Sequence, residues 1–302
     1  MPTYNQPNKP YISRRQLLKA AAMGACSSVL PVAPMVWAKA TEELRIMSRG
    51  DVNSNYSLGL LKLALEKAGV PFKLNISEGD FAPMRQRKEL LEGGLDILWT
   101  ATSIDMEEAA LPIRVPLYKG LLGHRILIVH RDNKNMFNQV QNWDQMLAFR
   151  FGQGRDWSDT AIMRANGMKV VPAVKYDNLF LMADGKRFDG FPRGVHEPWD
   201  EMAKRPQLEL TVDEHVMMVY RSPFYLFVAP SRKSLADDLY QGMLMSVDDG
   251  SFDEYFHSNP TVKTVIEKAN LKNRLIFNLK NPALPPKTPV DDARLWVNID
   301  KL

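Results

Sequence analysis

"GGLDILWTATSIDMEEAALPIRVPLYKG", residues 93–120, holds the stretch on which the fold turns. Leu95-Asp96-Ile97-Leu98-Trp99 reads as a strand, entered from the helix breaker Gly93-Gly94. Thr100-Ala101-Thr102-Ser103 follows it, with hydroxyls that suit both a polar ligand and the cap of a helix through Met106. Upstream, Leu44 to Met47 reads as a strand and Gly50 to Asn55 as a loop. Tyr56 to Ala68 is a helix, with Leu60, Leu61, Leu63, Ala64 and Leu65 at helical spacing and Gly69 as its stop. Pro71 to Ile76 is a second strand and Met84 to Leu91 a second helix. This β-α-β-α-β order predicts a parallel sheet covered by helices.

Downstream, Ile126 to Val129 is another strand, followed by the polar stretch Arg131 to Asn135. A second β/α series then begins: strand Ala148 to Gly152, loop Gln153 to Trp157, and a helix from Ser158 to Asn166 capped by Ser158 or Asp159. Lys169 to Ala173 is a strand, Asp177 to Ala183 a helix, Arg187 to Phe191 a strand and Phe224 to Val228 a further one. Ser234 to Asp248 is an amphipathic helix with Gly250 after it. The proline-rich tail from Asn281 predicts extended packing rather than helix.

The N-terminus reads differently. Ser13-Arg14-Arg15-Gln16-Leu17-Leu18-Lys19 matches a twin-arginine export signal, a weakly apolar stretch runs from Ala20 to Trp37, and Ala38-Lys39-Ala40 suits a signal peptidase that cuts after Ala40. Pro31, Pro34 and Ser27-Ser28 interrupt the apolar run, which falls short of the ~20 residues that span a bilayer. The leader holds Lys9, Arg14, Arg15, Lys19 and Lys39, five of the 39 basic residues in the 302-residue chain. Without them 34 basic residues face 35 acidic ones, so the basic character belongs to the leader. Nothing in that balance favours nucleic acid or a polybasic membrane contact. The one cysteine, Cys26, also lies in the leader, which leaves the mature chain without a disulfide, a thiolate metal ligand or a cysteine nucleophile. The remaining length suits two modest domains or one large one.

Gly94-Leu95-Asp96-Ile97 and the segment after it resemble the family 3 solute-binding proteins, in which a glycine, an apolar residue and an aspartate lead into a Ser/Thr-rich loop, a short helix and a Pro-Tyr element. "GKRFDGF", residues 185–191, resembles a strand of that family's second domain. "LADDLYQGMLMSVDDGSFDEYF", residues 235–256, resembles its late helix. The resemblance covers most of residues 42–275. It implies an α/β fold of the type II periplasmic binding protein: two lobes, each a sheet flanked by helices, joined by two crossing segments. The crossings are expected near Val129 to Asn133 and Phe227 to Ser231. Lobe one would be residues 41–130 plus 231–302, and lobe two 131–230.

A ligand in such a fold sits between the lobes, at strand carboxyl ends and helix N-termini. Three loops qualify: Thr100 to Ser103; Gly152 to Trp157, where helix amides and Arg155 favour an anion; and "RFDGFPRGVHEPWDE", residues 187–201, which we read as a cleft wall with Asp200 and Glu201 as a solvated helix start. The expected ligand-binding set is Tyr56, Thr100, Thr102, Glu108, Arg155, Trp157, Asp189, Arg193 and Glu197. Two positions depart from the resemblance. Glu108 stands where amino-acid binders of the family carry an arginine, and Arg193-Gly194 stands near their amine-holding aspartate. Arg114, Arg155 or Arg193 is then left to hold an anion, and Glu108, Asp189 or Glu197 a cation.

The function implied is capture of a small polar solute, amino-acid-like or anionic, by a monomer without cofactor or metal, for an inner-membrane permease. A sensor of a signalling system is the alternative partner, and a dehydratase-like enzyme on the same fold a third reading. The chain has no HExxH, no G-x-S-x-G and no P-loop, and His196-Glu197 is its one His-carboxylate pair in a candidate loop. The export reading has a direct test. With Arg14→Lys and Arg15→Lys together, cell fractionation should find the protein retained in the cytoplasm. Unchanged mature protein outside it would refute the signal.

Overall fold

The computed structural model describes residues 41–79 and 82–302, and the expected leader lies outside the described residues. The chain opens with β1 (Glu42–Ser48), α1 (Val52–Lys67), β2 (Phe72–Glu78) and α2 (Pro83–Leu91), then β3 (Ile97–Ala101), α3 (Ile104–Ala109), β4 (Leu111–Ile113) and β5 (His124–His130). It continues with α4 (Trp143–Met146), β6 (Arg150–Gly154), α5 (Ser158–Ala165), β7 (Lys169–Ala173), α6 (Tyr176–Asp184), β8 (Phe191–Gly194) and α7 (Pro198–Ala203). The last elements are β9 (Leu210–Val212), β10 (Val216–Val219), β11 (Phe224–Val228), α8 (Lys233–Asp248), α9 (Ser251–Ser258), α10 (Pro260–Lys268) and β12 (Leu275–Asn278).

Most expected elements are present with ends moved by a turn or less, and three differ in substance. The loop expected from Gly50 to Asn55 is the first turn of α1, because Asp51 caps it by accepting from the Ser54 amide at 2.8 Å. The strand expected from Arg187 to Phe191 runs from Phe191 to Gly194, with a single bridge from Gly190 to Phe151 before it. α5 has no side-chain cap: Trp157 occupies the cap position, and the Asp159 carboxylate is drawn away by Tyr220 and Arg125. The tail forms no α-helix, as expected, but two short 3-10 turns over Ala293–Leu295 and Ile299–Lys301 break its extended path.

The molecule is two-lobed. In one lobe β1 and β2 pair in parallel from Glu42↔Phe72 to Ser48↔Glu78. The third strand does not extend that ladder. β3 instead pairs antiparallel with β11, whose other edge takes β4. Asp96, buried just before β3, explains the break. Its carboxylate accepts from the Arg45 amide at 2.8 Å and from Arg45 Nε and Nη2 at 2.9 Å each, so a side chain fills one of the ladder's bonding places. In the other lobe the order is β12-β10-β5-β8, with β9 also on β5, and the parallel pair β6-β7 joins through the Gly190 bridge.

The pairing moves the changes of sheet away from the expected crossings. β5 pairs only with second-lobe strands and β11 only with first-lobe strands. The chain therefore passes between lobes at Leu121–Gly123 and at residues 220–223, where the Tyr220 amide donates to the Gly123 carbonyl at 3.0 Å. β12, expected in lobe one, lies beside β10 from Val216↔Leu275 to Val219↔Asn278. The tail then returns, seating Leu295 and Trp296 in the first lobe's core. Apolar runs such as Ile126–Val129 and Phe224–Val228 have the same pattern in either sheet, so period alone could not assign them.

One large apolar core carries the first lobe, from Leu44 and Ile46 through Leu60, Leu61 and Leu239 to Phe252 and Phe256. Ile126, Val195 and Met217 of the second lobe belong to it too, so the lobes share buried surface where they meet. α1 and α8 cross closely at Gly242, where a Cβ would lie 1.9 Å from the Ala64 carbonyl oxygen. Two further cores fill the second lobe, around Phe137 and Phe151 and around Phe180 and Phe191. Among the described residues no helix is long and apolar enough to cross a membrane.

Candidate functional site

A cleft of about 790 Å³ lies between the lobes. Val52, Asn53, Thr100 and Ser103 line it from one side, and Arg125, Trp157, Arg193, Glu197 and Glu201 from the other. Its second-lobe wall is built from the stretch 191–201. β8 and β5 are antiparallel, with Arg193 opposite Ile126 and Gly194 opposite Arg125. The chain then turns, and Pro198 starts α7. The spacing of Arg193, Glu197 and Glu201 puts both carboxylates within reach of one guanidinium.

That guanidinium is fully engaged on two of its edges. Arg193 Nε donates to Glu201 Oε2 at 2.8 Å, and Nη2 lies 2.6 Å from Glu201 Oε1 and 2.9 Å from Glu197 Oε1. Tyr176 donates its hydroxyl to Glu201 Oε1 at 2.5 Å. Trp157 and Phe191 lie 5.0 and 5.2 Å from the guanidinium carbon, at cation–π distance. Arg125, the second cation, pairs with Asp159 at 2.6 Å and lies 3.7 Å from Glu197 Oε2. The Gly194 amide donates to Glu197 Oε2 at 2.7 Å, and Asn53 Nδ2 to Glu197 Oε1 at 2.9 Å. Arg125, Arg193, Asp159, Glu197 and Glu201 are all buried, so two guanidiniums and three carboxylates are packed together at the base of the cleft.

The network sets the protonation of its members. Burial alone would push Glu197 up, but the guanidiniums of Arg193 and Arg125, with the Asn53 amide, pull it down to about 2. Glu201 goes the other way, raised by burial and by the Glu197 charge against the pull of Arg193. Burial works against the Arg193 cation, and the Glu197 and Glu201 carboxylates outweigh it and hold the guanidinium well above its usual range. His196 is lowered to about 4, chiefly by burial, and is neutral. It does not line the cleft; its Nε2 lies 2.9 Å from Asn53 Oδ1. His196 and Glu197 thus meet on one side chain, the Asn53 amide, whose oxygen faces the imidazole and whose nitrogen faces the carboxylate.

Of the nine expected ligand residues the structure places Thr100, Arg155, Trp157, Arg193 and Glu197 on the cleft wall. Four stand elsewhere. Tyr56 is core, its hydroxyl donating to the Leu117 carbonyl at 2.8 Å. Thr102 is buried and donates to Glu107 Oε1 at 2.8 Å. Glu108 is exposed on α3, outside the cleft. Asp189 accepts from the Arg150 amide at 2.7 Å, which ties it to the edge of β6. Arg114 also turns away, to Glu107 at 2.7 Å.

Glu201, expected in solvent, is buried because Arg193 and Tyr176 bond it. Arg125, Asn53, Asp159 and Tyr176 were missed. The four-residue spacing of Glu197 and Glu201 across the start of α7 was a readable signal; Arg193 meets them through the turn after β8, and Arg125 and Asn53 reach the site only through tertiary contacts. Arg155 is exposed at the cleft wall beside the start of α5, whose Ser158, Asp159, Thr160 and Ala161 line the same wall. Among the described residues no group of three or more His, Cys, Asp and Glu is arranged to hold a metal ion.

No protein-family model and no curated protein matches the chain. Solved structures do match in fold. A binding component of an ABC transporter from Wolinella succinogenes, complexed with lysine, is similar at TM-score 0.53 and 14% identity, over 71% of this chain and 94% of that one. An ancestral arginine-binding protein bound to arginine is similar at TM-score 0.52 and 14% identity, over 71% of this chain and 96% of that one. The ancestral arginine-binding protein bound to glutamine gives TM-score 0.52 and 14% identity over 72% and 96%. At this identity the likeness speaks to the fold, which is that of the two-lobed binding proteins.

The titrations make stability depend on pH. His124 and His196 each fall from an ordinary 6.5 to about 4, both chiefly by burial. The unfolded chain therefore takes up protons at these sites below pH 6.5 while the folded chain does not, and stability drops as pH falls from there through about 4. Glu197, lowered to about 2, adds a loss that begins below the ordinary carboxylate range of 4.5. Each histidine contributes up to about 3 kcal/mol. Glu201, raised by burial, works the other way as pH falls, so the histidine contribution is read as a difference: between about pH 6.5 and 4 melting temperature should fall, and fall less in His124→Asn, which keeps a donor for the Gly120 carbonyl. A melting temperature flat across that window would contradict this.

Proposed function

We propose that the chain is a solute-binding protein that takes a small, polar, amino-acid-like solute into the interlobe cleft. The observation that carries this is the composition of the two walls. One offers the Thr100 and Ser103 hydroxyls; the other offers Trp157, Arg155 and the start of α5. A carboxylate fits the second wall, because helix amides and a guanidinium both favour an anion. The base, where three carboxylates and two guanidiniums occupy one another, frames the site and leaves the solute to the groups around it. The fold neighbours named as binders of lysine, arginine and glutamine support the reading.

Arg193 takes no leading part in anion capture here, since its Nε and Nη2 are bound to Glu197 and Glu201. That role passes to Arg155. Export by the twin-arginine leader, residence in the periplasm and delivery to a membrane permease complete the proposal.

The test is a panel of amino acids and related organic ions, followed by melting temperature and tryptophan emission, then by calorimetry on any hit. At least one amino-acid-like solute should raise the melting temperature and shift the emission of Trp157. Arg155→Ala should weaken its binding by roughly tenfold, the loss of one charge-assisted bond, without lowering stability. Arg193→Ala should lower the melting temperature as well, because it leaves Glu197 and Glu201 buried without their cation. A panel without a single binder, or unchanged affinity in Arg155→Ala, would overturn the proposal.

A further inference from the structure

Two independent contacts join the lobes at the base of the cleft, and both end on the pair His196-Glu197. The first runs through Asn53, in the first turn of α1. Its Nδ2 donates to Glu197 Oε1 at 2.9 Å, and its Oδ1 lies 2.9 Å from His196 Nε2. A carboxylate only accepts, so the amide must point its nitrogen at Glu197 and its oxygen at His196. The neutral imidazole then carries its proton on Nε2 and donates it to Asn53. The buried Nδ1 is left with no partner among the described residues. The second contact is an aromatic stack. Tyr56 and Tyr118 of the first lobe lie 4.0 Å apart at 17°, and His196 continues the stack 4.1 Å from Tyr118 at 21°.

We propose that Asn53 is an interlobe positioning residue, which latches the lobes at the cleft base and keeps the Glu197 carboxylate in place for Arg193. The key atom is Glu197 Oε1. It takes the Asn53 amide from one lobe and the Arg193 Nη2 from the other, at 2.9 Å each. Any separation of the lobes that breaks the Asn53 bond also removes one of the groups that orient this oxygen. The resting opening of the cleft and the geometry of its ion cluster are thereby linked through one side chain. The aromatic stack sets the imidazole plane so that Nε2 meets the amide, and it gives the latch a fixed register. The inference rests on the binding-protein reading only in taking the cleft as the working site.

Ligand-free protein is therefore the right sample, and the outcome is independent of whether any solute is found. Spin labels at Lys62→Cys in α1 and Asp144→Cys in α4 report the distance between lobes, with Cys26→Ser removing the chain's one cysteine. The parent should give one narrow distance distribution. Asn53→Asp sets a carboxylate against Glu197, and Asn53→Ala removes both bonds. Both variants should broaden the distribution and lengthen it by on the order of a few Å, Asp more than Ala. If Asn53→Asp fails to fold, Asn53→Ala decides alone. A distribution unchanged in the folded variants would overturn the proposal, even with a lowered melting temperature, for Asn53 would then only pack.

Discussion

Arg193 held between Glu197 and Glu201 is the interaction on which the second lobe's face of the cleft depends. A guanidinium buried this deeply is costly unless its donors are met in good geometry. Here two carboxylates, a tyrosine hydroxyl and the faces of Trp157 and Phe191 surround it. The requirement explains the local sequence. Arg193 ends a strand, Pro198 starts a helix at once, and the helix returns Glu201 to the arginine one turn after Glu197. Each carboxylate also has its own anchor, the Gly194 amide for Glu197 and Tyr176 for Glu201.

A consequence for recognition is that charge density and ligand capacity are different things. The base of the cleft is crowded with ions, yet most of their donors and acceptors are already spent on each other. The groups suited to a solute stand around that base: Thr100 and Ser103 on one wall, Arg155, Trp157 and the beginning of α5 on the other. The cluster gives this arrangement rigidity and a local potential. Glu197, at the cap of α7, and Glu201, inside it, hold Arg193 in place.

Much of the fold was legible in the sequence because helical spacing in α1 and α8, and the turn glycines, mark elements independently of their partners. What the pattern could not give was partnership. β5 and β11 are apolar runs that would suit either sheet, and β12 lies in a stretch too short to reveal that it returns to the second lobe. The site divides along the same line. Arg155, Trp157, Arg193 and Glu197 stand on the cleft wall, where a place after strands or before helices puts them. Tyr56, Thr102 and Asp189 looked like partners for a ligand and are bonded to the protein instead. Asn53, in α1, and Arg125, in β5, reach the cluster from other parts of the chain, which no local pattern announces.

The central claim is that Arg193 is bound by its own lobe, as a member of the buried cluster, before any solute arrives. A double-mutant cycle on Arg193→Met and Glu201→Gln, followed by chemical denaturation without ligand, measures this most directly. Partners in one buried network are not additive. The account predicts that each single variant loses about 3–5 kcal/mol, and that the double variant loses less than their sum by about 2 kcal/mol or more. Losses that add to within about 0.5 kcal/mol would show that the two side chains do not stabilise each other, and would contradict it.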